Sequence, residues 1–208
     1  MKSLNIQIKL LSPVILSSHV PDNNLTGTLG HIPASSILGL FAAKYIHDKK
    51  LKNAHDDNNF FKWFLKNHII FTNTYISEKM ETDEIDFQPT PMCIKKQKKD
   101  NQLVNILAVD DDYDEQTTSF SPFSNICGNT IKAAEPEKII NFHHKRDRLS
   151  GHTKDRGMFN YEALVPGQVF KGKIYGDTQD LQAFKRVFGD EFTARLGKSR
   201  NTEYGKVK

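Results

Sequence analysis

The sequence predicts an α+β domain of the ferredoxin-like, RRM-like class, ordered βαββαβ, with an inserted region that carries a hairpin. Three observations lead there. Near the N-terminus Leu4, Ile6, Ile8 and Leu10 alternate with Ser3, Asn5, Gln7 and Lys9, the period of a strand with one wet face. Two amphipathic helical stripes, around residues 40 and 184, are each set between strand-like runs. Between about 78 and 135 the chain turns acidic and turn-rich, as an excursion from a core does.

Taken in order, the first strand covers residues 3–11, and a loop rich in Ser, Pro, Asp, Asn and Gly runs from Ser12 to Pro33. Ser35 to His47 reads as a helix. Ser35 or Ser36 can cap it, and Ile37, Leu40, Phe41 and Tyr45 recur at helical spacing. Asn59 to Lys66 forms a second short helix, and His68 to Ile76 a strand. Within the insertion the acidic run Glu81 to Asp86 precedes two strand-like pieces, Pro91–Lys96 and Leu103–Val109. The polar turn Lys98-Lys99-Asp100-Asn101 joins them as a hairpin.

Ile139–Arg148 and Met158–Val165 are the next strands, and Pro166-Gly167 turns into Val169–Tyr175 with Phe170 and Ile174 toward the core. Asp177 or Thr178 caps a helix with Leu181, Phe184, Val187 and Phe188 on its buried stripe, and Gly189 ends it. A glycine-flanked loop follows, then a last strand. Only three residues come after Gly205, against about 5–6 for an ordinary strand. The expectation is a single domain over 1–208 that forms the front part of a longer protein.

Composition bounds the function. Of 208 residues, 38 % are hydrophobic and 26 % charged, enough for one core and unlike a disordered chain. No run approaches the roughly 18 apolar residues of a membrane helix, and the alternating N-terminus is wrong for a signal peptide. Cys93 and Cys127 lack paired metal-ligand spacing, so a reduced, cytoplasmic chain without metal or cofactor is expected. The net charge of +4 is mild, but its distribution is uneven. All six arginines (Arg146, Arg148, Arg156, Arg186, Arg195, Arg200) fall in the last third. The guanidinium fork matches phosphate and stacks on bases, so a localised polyanion surface is predicted there.

The strongest local signal is Gly197 to Gly205, two glycines that bracket Lys198, Ser199, Arg200, Asn201, Thr202 and Tyr204. Glycine lets backbone N–H groups approach a phosphate and form an anion nest, Lys and Arg bring charge, Ser and Thr bring hydroxyls, and Tyr can stack on a base. A solvated polar connection fits the same spacing equally well. The loop is not a Walker A motif, because Phe192 stands where its first glycine belongs. Nor is the acidic run from Asp110 an EF-hand, since Glu115 and Ser121 occupy the positions that need Gly and Glu.

The segment Leu196 to Gly205 resembles the C-terminal glycine-rich loop of RAMP proteins. Tyr161-Glu162-Ala163-Leu164, with Pro166-Gly167-Gln168-Val169-Phe170-Lys171-Gly172, resembles the strand-turn-strand that precedes it in that family. Ile32-Pro33-Ala34-Ser35-Ser36-Ile37-Leu38-Gly39 is similar to the family's I-P-G-S-S-x-x-G entry to the first helix, with Ala34 replacing glycine. His143-His144-Lys145-Arg146-Asp147-Arg148, followed by Gly151 and Gly157-Met158-Phe159, is most similar to the RAMP subunit of type III-D CRISPR systems.

The resemblance implies a modified RRM fold in a type III effector complex of antiviral defense. Its partners would be CRISPR RNA, target RNA and sister subunits, with no membrane. Gripping of the repeat-derived 5′ end is the expected role, and no enzymatic activity. The expected RNA contacts are Ser35, Ser36, His144, Arg146, Arg148, Lys198, Ser199, Arg200, Asn201, Thr202 and Tyr204, with Gly39, Gly197 and Gly205 as structural glycines. The competing reading is a RAMP endoribonuclease. It would cut target RNA with Asp22 and a metal, or precursor RNA with His143 or His144 as general base. The two histidines are adjacent and face opposite ways on a strand, so they cannot act as one pair. A third reading is a module that mainly binds other proteins.

Overall fold

The computed structural model describes residues 1–18, 24–80, 83–109, 115–128, 130–146 and 153–208, with the side chains at 79–80, 83, 145–146 and 153–157 left aside. The chain divides into two compact units, Met1–Thr74 with Pro136–Lys208, and Tyr75–Glu135.

The first unit contains β1 (Lys2–Lys9), β2 (Ser17–Ser18), β3 (Leu25–Thr28), α1 (Ala34–Lys49), β4 (Ile69–Phe71), β5 (Lys138–Arg146), β6 (Thr153–Leu164), β7 (Val169–Gly176), α2 (Thr178–Phe188), β8 (Ala194–Arg195) and β9 (Lys206–Val207). The alternation read from residues 3–11 puts Ile8 and Leu10 into the core. β1 pairs antiparallel with β7 from Lys2↔Gly176 to Lys9↔Val169, and the other edge of β7 carries β4. Leu10 bridges Val207, and β8 pairs with β9. The spatial order β9-β1-β7-β4 is the ferredoxin-like arrangement, with fourth, first, third and second strands side by side.

Helices α1 and α2 bring their aromatic stripes together over this sheet. The Phe41 ring lies 4.9 Å from Phe188, 5.1 Å from Phe184 and 5.5 Å from Phe71. A second sheet runs β5-β6-β3-β2, in which β6 and β3 are parallel.

Several sequence expectations shift in detail. Neither Ser35 nor Ser36 caps α1. Pro33 holds the cap position, and the Asn73 side chain accepts from the Ala34 N–H at 2.8 Å. The 12–33 loop hides β2 and β3, whose polar residues make the ladder. Thr28 Oγ1 accepts from Leu16 N–H, and Glu162 accepts from Thr28 N–H, both at 2.8 Å. The short helix begins at Asn58 under a side-chain cap from Asp57 and continues as a π turn over Phe61–Leu65. The predicted 68–76 strand breaks after Phe71. Asp177 sits at the α2 cap position without a side-chain bond, and Val187 is 38 % exposed while Asp180 takes a buried place on the stripe.

In the second unit, Ile94–Gln97 pairs with Leu103–Asn105 as a hairpin and with Thr117–Ser119 on its other edge. The predicted strand at 103–109 stops at Asn105, whose side chain turns back to accept from the Leu107 N–H. Phe123–Cys127 pairs with Thr130–Ala134, and Phe87, Phe123 and Ala134 are buried.

Candidate nucleic-acid interface

The glycine-flanked loop is built against the segment after β1. Gly197 and Gly205 both have φ of +84°, the left-handed region where an L side chain is strained. A Cβ on Gly197 would meet the Ile15 carbonyl oxygen at 2.3 Å, and one on Gly205 the Leu196 carbonyl oxygen at 2.4 Å. That close approach lets Lys198 N–H donate to Ile15 O at 2.9 Å and Gly205 N–H to Pro13 O at 2.8 Å. The loop also ties itself. Arg195 donates to the carbonyls of Thr202 and Tyr204, and the Thr202 hydroxyl donates to Ser199 O at 2.8 Å.

These bonds correct three expectations. An anion nest through Lys198 is ruled out, because its N–H already serves Ile15. The Thr202 hydroxyl hydrogen is spent inside the loop. Tyr204 is not a stacking platform: it is 2 % exposed and packs against Ile15 and Ala163. Burial raises its phenol above the ordinary value, so it stays a neutral hydroxyl. Asn141 donates to that oxygen at 2.9 Å, and His143 Nε2 lies 2.9 Å from it.

What the loop leaves outward is charge. Lys198 and Arg200 are exposed, as is Asn201. Lys198 Nζ sits 4.8 Å from the Tyr161 ring centre and 3.3 Å from Thr26 Oγ1, which fixes the direction of the ammonium without neutralising it. A cleft of about 650 Å³ lies beside them, lined by Ser35, Ser36 and Gly39 of α1 and by Arg195, Lys198 and Arg200. Two distant motifs of the sequence, the helix entry and the glycine loop, thus meet on one groove. The α1 N-terminus adds partial positive charge to it. Gly39 is not a structural glycine in the sense expected, since a Cβ there would meet nothing within 4 Å.

The remaining expected residues divide. His144 is exposed, on the opposite face of β5 from His143. His143 instead stacks on Phe159 at 5.3 Å and 12° and contacts Tyr161 at 5.0 Å. Arg146 ends β5 beyond an irregularity after His144, and its side chain, with Arg148 and Asp22, lies outside the described residues. Among the described residues no group of three or more His, Cys, Asp and Glu side chains is placed to hold a metal ion. No helix among them is long and apolar enough to cross a membrane. Sequence reasoning missed Asn73, Asn141 and Thr26. Only Asn141 left a signal, two positions before His143 on one face of a strand.

A sequence model of the RAMP superfamily matches residues 7–208. No curated protein sequence matches the chain. Among solved structures it is similar to one described as the apo state of type III-B Cmr-beta, determined by cryo-EM. The identity is 10 % and the TM-score 0.58, over 99 % of this chain and 95 % of that one. It is also similar to a chain of type III-B Cmr-beta bound to cognate target RNA, at 12 % identity and TM-score 0.56, over 100 % and 96 % of the two chains. At such identities the likeness is one of fold.

Proposed function

The chain belongs to the RAMP superfamily, and from that premise we propose that it is a non-catalytic RNA-binding subunit of a type III CRISPR ribonucleoprotein. It grips the repeat-derived 5′ end of CRISPR RNA and packs among sister subunits in the cytoplasm. The observation that carries this reading is the convergence of Ser35, Ser36, Lys198 and Arg200 on one cleft beside a helix N-terminus. Hydroxyls, two cations and the partial positive charge of a helix N-terminus are what a ribose-phosphate chain takes. The type III-D assignment rests on the run from His143 to Arg148. The fold shared with a chain of an RNA-bound effector supports the class. A nuclease with His143 as its base is disfavoured because His143 Nε2 faces a buried tyrosine hydroxyl and its ring is held by Phe159 and Tyr161.

The test uses labelled repeat-containing RNA. Wild type binds without cutting, and Lys198→Ala with Arg200→Ala weakens binding at least tenfold. Each single-strand phosphate contact contributes about 0.7 to the slope of log affinity on log salt, so the double variant should lose roughly 1.4 of that slope. Unchanged affinity and slope in the double variant would remove the cleft as the RNA site. Cutting that His144→Ala abolishes would replace the reading with the nuclease.

A further inference from the structure

The β9-β1-β7-β4 sheet buries one face and leaves the other to solvent. Ile8, Phe170 and Ile174 point to the aromatic layer of α1 and α2 and are buried. Alternation sends their neighbours along each strand to the opposite face. There Asn5, Gln7, Lys9 and Lys173 are exposed, Ile70 is 44 % exposed, and Tyr175 is half-buried.

The register fixes how these side chains lie. Asn5 stands directly opposite Lys173, and Gln7 opposite Lys171. Tyr175 is flanked by Ser3 on β1 and by Ile70 on β4. Neighbouring strands run about 4.8 Å apart, and same-face residues along one strand about 7 Å apart. A phenol ring, lysine cations and two side-chain amides therefore share one surface. Strands β1, β4 and β7 bring no carboxylate to it. A face that merely keeps a sheet wet mixes both signs of charge.

Chemistry selects the occupant. Aliphatic side chains on this face are confined to Val169 and Ile70, near opposite ends of β7. A protein partner needs a desolvated apolar centre, which this surface lacks. A polynucleotide needs cations for its phosphates, a ring for a base and amides for base edges. We propose that this face is a second contact for single-stranded RNA. Tyr175, with Ile70 beside it, stacks a base, Asn5 and Gln7 meet base edges, and Lys173 and Lys9 meet phosphates. RNA as the ligand rests on the reading of the cleft beside Arg200, whereas the location is independent of it. None of these residues lines that cleft, and α1, which walls it, covers the other face of the sheet.

The probe is repeat-containing RNA with 4-thiouridine in place of uridine, irradiated on the 208-residue chain and mapped by peptide mass spectrometry. Crosslinks should fall in two stretches, 195–205 and 169–175. The second set should persist in Lys198→Ala with Arg200→Ala, at protein concentrations that restore saturation. Lys9→Ala with Lys173→Ala should weaken binding about fivefold and lower the slope of log affinity on log salt by roughly 1.4. Tyr175→Leu should weaken binding about fivefold while Tyr175→Phe binds like wild type, because a phenyl ring stacks as well as a phenol. The crosslink map is read on the wild-type chain and does not depend on how a variant folds. Crosslinks confined to 195–205, with the Lys9 and Lys173 changes without effect, overturn this proposal and leave the cleft standing. Crosslinks at 169–175, with the Lys198 and Arg200 changes without effect, support this face and remove the cleft. Absence of both sets overturns the RNA reading and this contact with it. A decaglutamate peptide that binds more tightly than the RNA, with Tyr175→Leu without effect, overturns the proposal in favour of an acidic polypeptide.

Discussion

Gly197 and Gly205 set the shape of the candidate interface by what they lack. With φ of +84° and carbonyl oxygens 2.3 and 2.4 Å from the position of a Cβ, alanine at either site combines a strained backbone with a clash. Gly205→Ala should lower unfolding free energy by about 1–3 kcal/mol, measured by urea denaturation. Gly39 is the contrast. It lies inside α1 with open space around it, so Gly39→Ala should raise stability by roughly 0.5–1 kcal/mol in the same measurement. The bonded trio of Asn141, His143 and Tyr204 shows why residue chemistry alone misassigned the tyrosine. The sequence displays a ring and a hydroxyl beside cations, whereas the fold turns both inward against Ile15 and Ala163.

At the scale of elements, the link between the 58–68 segment and α2 is polar and buried on one side. Asp180, 6 % exposed, accepts from Lys62 Nζ at 2.7 Å and Trp63 Nε1 at 3.4 Å, and lies 3.3 Å from His68 Nδ1. Burial pushes its carboxyl up, but the Lys62 and Trp63 hydrogen bonds, the Lys62 charge and the His68 bond outweigh that and hold it below the ordinary value. A depressed folded pKa gives stabilisation that is complete above the unfolded carboxylate value and lost as pH falls through the folded one. Asp180→Asn should therefore cost roughly 1–2 kcal/mol at neutral pH, discounted because the Lys62 side chain is 40 % exposed, and should flatten the acid limb below about pH 4. Denaturation midpoints from pH 3 to 7 check both. Elements with strong periods were legible: residues 3–11, α1 and α2 fall where alternation and helical stripes put them. The caps were not. Asn73 caps α1 from 39 positions away, and no local pattern announces a partner so distant. The short polar strands β2 and β3 were equally silent, because threonine and serine in a ladder look like threonine and serine in a loop.

For the whole molecule, residues 75–135 make their contacts mainly with one another. Replacing Tyr75–Glu135 by a short Gly-Ser linker should leave the β9-β1-β7-β4 sheet and its aromatic layer folded, with a cooperative melt and unchanged exchange protection along β1 where it pairs with β7. Loss of the cooperative transition would show that the two units fold as one. The sheet itself joins positions far apart in the chain, with Lys206 N–H on the Ser12 side chain at 2.8 Å and Gly205 N–H on Pro13 O. Contacts of that span are slow to form, because a long loop must close before they repay its entropy. On the ribosome, then, everything up to α2 emerges while the groove beside Arg200 does not yet exist. A nascent chain therefore lacks this groove until residues 195–205 have been made and have folded back on the segment after β1.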